Sequence, residues 1–175
     1  DTDIAYLDPL SGFLRPELAV QTAASRAAEL GARIYCGHSV TAIETDTSGV
    51  TIHCDNQKFR VDHCIVSTGA WTSKLLSQIA LPVWVERQVL FWYPMRKPEF
   101  FGPERFPIFV RVTEGYNWYG FPTLDGKSVK IAFHHNGCRT DPDTIDRSLH
   151  EKDSQLLSEY VDKYIPGLIP TPEKG

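Results

Sequence analysis

The sequence lacks two features that would direct it to a membrane or to nucleic acid. Its longest unbroken apolar run, residues 79–85, is short and contains a proline, whereas a membrane-spanning helix needs about 18 apolar residues. Lysine and arginine number 18 against 22 aspartate and glutamate residues, which gives a formal net charge of −4. We therefore expect neither the usual basic footprint of a nucleic-acid-binding protein nor a polybasic membrane patch.

Paired cysteines and common catalytic fingerprints are missing as well. The four cysteines include no CxxC pair, and Cys54 and Cys64 lie inside strand-like runs, so free thiols in a reducing, cytoplasmic compartment are expected. No two glycines are two residues apart, which excludes GxGxxG, and GxxxxGK, HExxH and GxSxG do not occur.

His134 and His135 are neighbours on a predicted strand and should point to opposite faces. We predict no metal site.

What is present is typical of a globular protein. The 175 residues are 42% hydrophobic and 23% charged, enough for one domain or for pieces of two. Pro16 and Glu17 begin a predicted helix that Gly31 ends, and its small, alanine-rich face suits packing against a sheet. In this part of the chain strands are predicted at 33–36, 40–45, 50–54, 58–61 and 63–67, and a short helix at 72–76.

The composition changes near Leu81 and Pro82. Beyond them alanine becomes rare and aromatic residues concentrate, which indicates two domains, 1–80 and 81–175. The second part has predicted strands at 83–93, 107–112, 116–121 and 129–134 and a helix at 148–164. The predicted fold class is α+β, with a large mixed or antiparallel sheet against the final helix and an incomplete α/β layer with a small meander before it.

Lys130 lies in an otherwise apolar strand pattern. Alternation places Lys130, Ala132 and His134 on one face of this strand. The pattern has two interpretations: a polar pocket, or the solvated face of an ordinary antiparallel sheet. The aromatic residues nearby also have two interpretations, a packed core or a floor that holds a small amine partly through cation–π contact.

Five motifs occur in an order that resembles one family. They are Gly69-Ala70-Trp71-Thr72-Ser73-Lys74-Leu75-Leu76, Glu86-Arg87-Gln88-Val89, Tyr119-Gly120-Phe121-Pro122, Lys130-Ile131-Ala132-Phe133-His134 and Asp141-Pro142-Asp143-Thr144-Ile145-Asp146-Arg147. Together they resemble the middle of the monomeric sarcosine oxidases and N-methyltryptophan oxidases, flavoenzymes of the D-amino-acid-oxidase superfamily. The resemblance extends over about residues 12–167.

The resemblance implies an FAD-dependent oxidase that converts a small amine or N-methyl amino acid, with oxygen and water, into an aldehyde, a smaller amine and hydrogen peroxide. It implies that Lys130 lies over the flavin ring and serves the reaction with oxygen, that His134 lies near the substrate amine, and that Tyr119 and Val110 line the substrate pocket. The residues implied to contact FAD are Val40, Ser67, Thr68, Gly69 and Trp71.

The chain also departs from the family pattern. The dinucleotide fingerprint and the segment with the cysteine that binds the flavin covalently are absent, so we expect an internal fragment that neither binds FAD tightly nor turns over alone. Such a fragment would expose surface and self-associate. Other interpretations are a related glycine oxidase, an FAD-dependent dehydrogenase, or a non-catalytic module that binds a small molecule or a protein.

Overall fold

The computed structural model describes residues 4–55, 57–113 and 115–175, and the chain divides into two compact units. The meander unit comprises Arg15–Val85 and Thr140–Thr144. The sheet unit comprises Glu86–Arg139 and Ile145–Gly175, together with residues 4–14. No described helix has the length and apolar character that crossing a bilayer requires.

The meander unit is built around a three-stranded antiparallel sheet with strand order β1-β2-β3. Its elements are helix α1 (Pro16–Glu29), strands β1 (Val40–Asp46), β2 (Gly49–Cys54) and β3 (Gln57–Val61), a 3₁₀ turn at Gly69–Trp71, helix α2 (Thr72–Leu75) and a second 3₁₀ turn at Ser77–Ile79. Helix α2 contacts β1. The predicted helix from Pro16 and the small meander are thus both present.

Glycine is required at two positions of this unit, after helix α1 and at the start of β2. Gly31 has φ +94° just after α1, a left-handed conformation that commonly ends helices. Gly49 has φ +139°, and a Cβ there would lie 2.5 Å from the carbonyl oxygen of Val61. The tight turn between β1 and β2 therefore excludes any larger residue at position 49.

Three local predictions for this unit were wrong. The segments 33–36 and 63–67 form no strand, because neither pairs with another strand among the described residues, and a strand needs a hydrogen-bonded neighbour. Ile65, in the second segment, is 93% exposed. Helix α1 buries none of its residues, and Leu18 is 59% exposed. Its alanine face is therefore not buried against a sheet in the part of the chain that the structure describes.

The sheet unit has a four-stranded antiparallel sheet with order β5-β8-β7-β6. Its elements are β4 (Glu86–Arg87), β5 (Leu90–Pro94), a 3₁₀ turn at Pro98–Phe100, β6 (Phe109–Thr113), β7 (Tyr116–Phe121), β8 (Ser128–His134), β9 (Cys138–Arg139) and helix α3 (Glu151–Tyr164). The strand predicted over 83–93 is two strands, because β4 pairs with β9 in a separate small sheet. The antiparallel sheet and the mixture of helix and strand agree with the predicted fold class.

Helix α3 packs on one face of the four-stranded sheet and forms the core there. Leu157 and Val161 are the buried residues of this helix. The buried side chains that complete the cluster are Phe91, Tyr93, Phe101, Trp118, Val129, Ile131, Phe133 and Leu168. Burial raises the pKa of Tyr93 to about 12, although its hydroxyl shares a hydrogen bond with Ser158. The aromatic residues that face α3 thus form a packed core.

Arg87 fixes the start of α3. Its guanidinium forms a two-pronged ion pair with Asp153, at 2.9 and 3.1 Å, and also donates to the backbone carbonyls of Asp146 and Ser148. Asp153 in turn accepts from the backbone N–H of His150, which closes a capping box. The hydrogen bonds from Arg87 hold the pKa of Asp153 below its usual range.

We predict that Leu157→Ala lowers the free energy of unfolding by about 2–5 kcal/mol, because it leaves a cavity between α3 and the sheet. Urea denaturation of the 175-residue chain, followed by circular dichroism, measures this loss. Leu124→Ala is the matched control at an exposed site and should change the free energy by no more than about 0.5 kcal/mol. Equal losses in the two variants would contradict the assigned core.

Candidate functional site

The residues predicted for the substrate pocket lie on one face of the four-stranded sheet. Side chains alternate along each strand, and those that point away from α3 form what we call the open face. Its members are Leu90, Trp92, Pro94, Val110, Val112, Asn117, Tyr119, Phe121, Ser128, Lys130, Ala132 and His134. Tyr119, Lys130, His134 and Val110 are all among them, so the fold brings the four residues together on one surface.

The strand register sets the order of side chains across the open face. Tyr119 lies opposite Val110 on one side and Ala132 on the other. Phe121 lies opposite Lys130. Val110 is 72% exposed because its strand is at the edge of the sheet. Tyr119 is therefore central on this face, with Val110 at its rim.

Lys130 is partly buried at the centre of the open face, with an aromatic partner. Its Nζ lies 5.1 Å from the ring centroid of Phe121, within the range of a cation–π contact. No described carboxylate forms an ion pair with this ammonium group. The lysine thus points away from the α3 core and shares its surface with Tyr119 and His134. The open face thereby carries a positive charge that no described acidic side chain neutralises.

The ring of Tyr119 contacts two other rings on the open face. Its own ring centroid lies 5.9 Å from that of Phe121 and 6.4 Å from that of His134, both in edge-to-face geometry. Burial raises the pKa of the Tyr119 phenol above its ordinary value. The hydroxyl is therefore a neutral hydrogen-bond donor at physiological pH.

Further aromatic residues extend this surface beyond those predicted as site residues. Phe13, from the N-terminal segment of the sheet unit, packs edge-on against Phe121 at 6.1 Å. Trp92 lies opposite Lys130, and the ammonium of Lys174 lies 5.2 Å from the ring centroid of Trp92. The period-two pattern that groups Lys130 with His134 would also have grouped Phe121 with Tyr119, so the sequence contained the signal for these positions.

The prediction that His134 and His135 point apart was wrong. Strand β8 ends at His134, and His135 adopts a left-handed backbone conformation with φ +61°. The alternation of a strand no longer applies at that point. The two ring centroids are only 4.0 Å apart, tilted by 56°. Both imidazoles therefore stand together at the end of the open face.

The residues predicted to contact a cofactor lie in the meander unit. Ser67 and Thr68 precede the 3₁₀ turn Gly69–Trp71, in which the Trp71 N–H donates to the Thr68 carbonyl. The hydroxyls of Thr68 and Thr72 share a hydrogen bond of 3.1 Å. Val40 begins β1, the strand that α2 contacts. The strand predicted to lead into this turn is not formed, and its residues have no strand partner among the described residues.

The turn is anchored by an acidic loop distant in sequence. The indole N–H of Trp71 donates to Asp143 at 2.7 Å. Lys74 forms ion pairs with Asp141, at 2.5 Å, and with Asp143. Hydrogen bonds to Lys74 hold the pKa of each aspartate below its usual range. Both segments are among the five sequence motifs, but nothing in either motif predicts their contact.

Both regions have features that fit FAD. Gly69 has φ +53°, and no atom lies within 4 Å of where a Cβ would be, so a bulky group has room to approach this backbone. The open face offers aromatic side chains and an ammonium group, and none of its strand residues is acidic. These are suitable neighbours for a planar ring system that becomes electron-rich on reduction.

The sequence comparisons agree with these features. The family described as FAD dependent oxidoreductase (DAO) matches residues 1–174, and the chain belongs to this family. Among curated proteins, it is 31% identical over 170 residues to a monomeric sarcosine oxidase from Streptomyces avermitilis, which covers 95% of the chain and 44% of that relative. It is 33% identical over 138 residues to an N-methyl-L-tryptophan oxidase from Yersinia pestis, covering 78% and 36% of the two chains.

A solved structure shows the same fold. The open form of NikD, an unusual amino acid oxidase essential for nikkomycin biosynthesis, matches with a TM-score of 0.59 at 21% identity, over 90% of this chain and 41% of that chain. The chain thus spans less than half the length of the curated relatives it matches.

Replacing Lys74 should release the acidic loop. Because hydrogen bonds to Lys74 lower the pKa of Asp143, we expect Lys74→Met to raise that pKa toward the ordinary range of aspartate, and the ion pair in the unmodified chain to be lost as the pH falls through the lowered value. Carboxyl-carbon NMR titration measures the change.

Lys58→Met, which removes an exposed lysine from the same unit, is the control and should leave the titration of Asp143 unchanged. An unaltered Asp143 titration in Lys74→Met would show that the ion pair does not form in solution.

Proposed function

We propose that this chain is part of a longer FAD-dependent oxidase of amines or N-methyl amino acids, and that the open face covers the flavin and holds the substrate. The reaction converts amine, oxygen and water into an aldehyde, a smaller amine and hydrogen peroxide. The observation that carries the proposal is the placement of Lys130, Tyr119 and His134 on one aromatic face, away from the α3 core. The relatives named for sarcosine and N-methyltryptophan oxidation support it.

When bound, FAD would supply the redox chemistry that links oxidation of the amine to reduction of oxygen. Lys130 contributes a fixed positive charge next to the negative charge that develops on oxygen. Its contact with Phe121 holds the ammonium in place without a neutralising carboxylate. A carboxylate partner at this position would cancel the effect.

The remaining side chains bind and orient the substrate. The neutral phenol of Tyr119 donates a hydrogen bond, and the ring of His134 accepts or supplies a proton near the amine, whose neutral form is the reactive one. Val110 at the rim limits the size of the substrate side chain. In the meander unit, Val40, Ser67, Thr68, Gly69 and Trp71 would hold FAD.

The direct test is a peroxide assay of the longer protein with sarcosine, N-methyltryptophan and pipecolate. Peroxide formed in proportion to the amine consumed supports the oxidase. Amine oxidation that needs an artificial electron acceptor would instead identify a dehydrogenase. A protein that turns over none of these substrates and binds no flavin would favour a non-catalytic binding module.

Removing the charge of Lys130 should slow the oxygen reaction specifically. In the longer protein we expect Lys130→Met to lower the rate of flavin reoxidation by oxygen about 100-fold or more, by analogy with the loss of one preorganised electrostatic group. Anaerobic reduction by substrate should change less. Stopped-flow absorbance of the flavin separates the two steps.

Lys127→Met is the matched control, because Lys127 is exposed and precedes β8 rather than lying among the strand residues of the open face. It should reoxidise at the unmodified rate. A normal reoxidation rate in Lys130→Met would overturn the role given to this residue.

The 175-residue chain by itself should not retain the cofactor. No GxGxxG fingerprint is present in it to bind the FAD pyrophosphate. After incubation with excess FAD and gel filtration, we expect the protein fraction to show no visible flavin absorbance. A yellow protein fraction with stoichiometric flavin would contradict this prediction.

A further inference from the structure

The His134 end of the open face holds three polar side chains that stand together. Asn117 lies directly opposite His134 in the register of β7 and β8, so their Cβ atoms are about 4.5–5.5 Å apart on the same face. His135 joins them because its left-handed backbone brings its ring to 4.0 Å from that of His134. We call Asn117, His134 and His135 the polar end of the open face.

These side chains are free to bind a ligand. All three are exposed. Within the described residues, neither Asn117 nor His135 makes a side-chain hydrogen bond or an ion pair. An amide N–H₂ and imidazole N–H groups are hydrogen-bond donors. The polar end therefore presents several unused donors at the edge of a face that is otherwise largely aromatic.

The charge on this surface favours an anion. Lys130 is cationic on the same face, and none of the described strand residues that form the open face is acidic. Hydrogen bonds between such donors and a carboxylate are stronger than those to a neutral oxygen. A negatively charged group at the polar end thus gains both hydrogen bonds and long-range attraction.

His135 has a positive φ directly after the end of β8, and its ring lies beside that of His134. A positive φ is uncommon outside glycine, but histidine, like asparagine and aspartate, adopts it more often than most residues do.

We propose that Asn117 and His135, beside His134, form a subsite for a carboxylate on the side chain of the substrate, so that the enzyme prefers acidic N-methyl amino acids. This inference rests on the proposed oxidase function and names its substrate class. The carboxylate accepts hydrogen bonds from the amide of Asn117 and the ring N–H of His135. No covalent step is involved.

The test compares two substrates that differ only in this charge. The longer protein is assayed with N-methylglutamate and with N-methylglutamine, its neutral isostere. We expect kcat/KM to be at least about 10-fold higher for N-methylglutamate, as charge-assisted hydrogen bonds imply. Calorimetry with glutarate and its monoamide gives a readout independent of turnover, and glutarate should bind more tightly by a similar factor.

Two variants test whether Asn117 and His135 cause the preference for the acidic substrate. His135→Gly removes the imidazole and suits the left-handed backbone, and Asn117→Val removes the amide while keeping a residue that favours strands. Each should reduce the ratio of the two kcat/KM values about 10-fold. His63→Ala, at an exposed histidine of the meander unit, is the control and should keep the ratio.

The outcomes separate this inference from the proposed function. Turnover of sarcosine with equal kcat/KM for the two glutamate analogues, or a preference that both variants retain, would overturn the carboxylate subsite alone. Failure to oxidise any of the amines would instead overturn the oxidase function. A preference that both variants weaken, with matching losses in glutarate binding, supports the subsite.

Discussion

The antiparallel register of β5, β8, β7 and β6 is the constraint on which the candidate site depends. It places Tyr119 between Val110 and Ala132, and Lys130 between Phe121 and Trp92. Since side chains alternate strictly, a shift of one residue would send Lys130 into the α3 core and bring Ile131 to the open face. The packing of α3 on one side therefore determines the chemistry that the other side can perform.

The same alternation divides the aromatic residues of the sheet into two groups, one that faces α3 and one that faces away from it. Trp118 and Phe133 pack toward α3 and supply the buried area that stabilises the unit. Tyr119 and Phe121 alternate with Trp118 along β7 and face outward, where Phe121 contacts the ammonium of Lys130. The packed-core interpretation of the aromatic-rich segment is confirmed for the residues that face α3, and the binding floor stays a prediction for the alternate residues.

The sequence predicted what depends on local periodicity and missed what depends on distant partners. Strand β7 and helix α3 follow from period-two and helical spacing, and the shared face of Lys130 and His134 follows from alternation. The segment 63–67 has an apolar centre that reads as a buried strand, but pairing requires a neighbour that local pattern does not reveal. The position of the His135 ring depends on one backbone angle. The contact of Trp71 with Asp143 joins two residues that are 72 positions apart in the sequence. Neither has a signature in the residues beside it.

The long separation between Trp71 and its anchor has a consequence for biosynthesis. The Gly69–Trp71 turn leaves the ribosome well before Asp143 has been translated, and at typical elongation rates of about 5–20 residues per second the gap of 72 residues lasts roughly 4–14 s. During that interval the meander unit lacks its acidic loop while the strands of the sheet unit are being made. The contacts of Trp71 and Lys74 with this loop therefore cannot form until Asp143 has been synthesised.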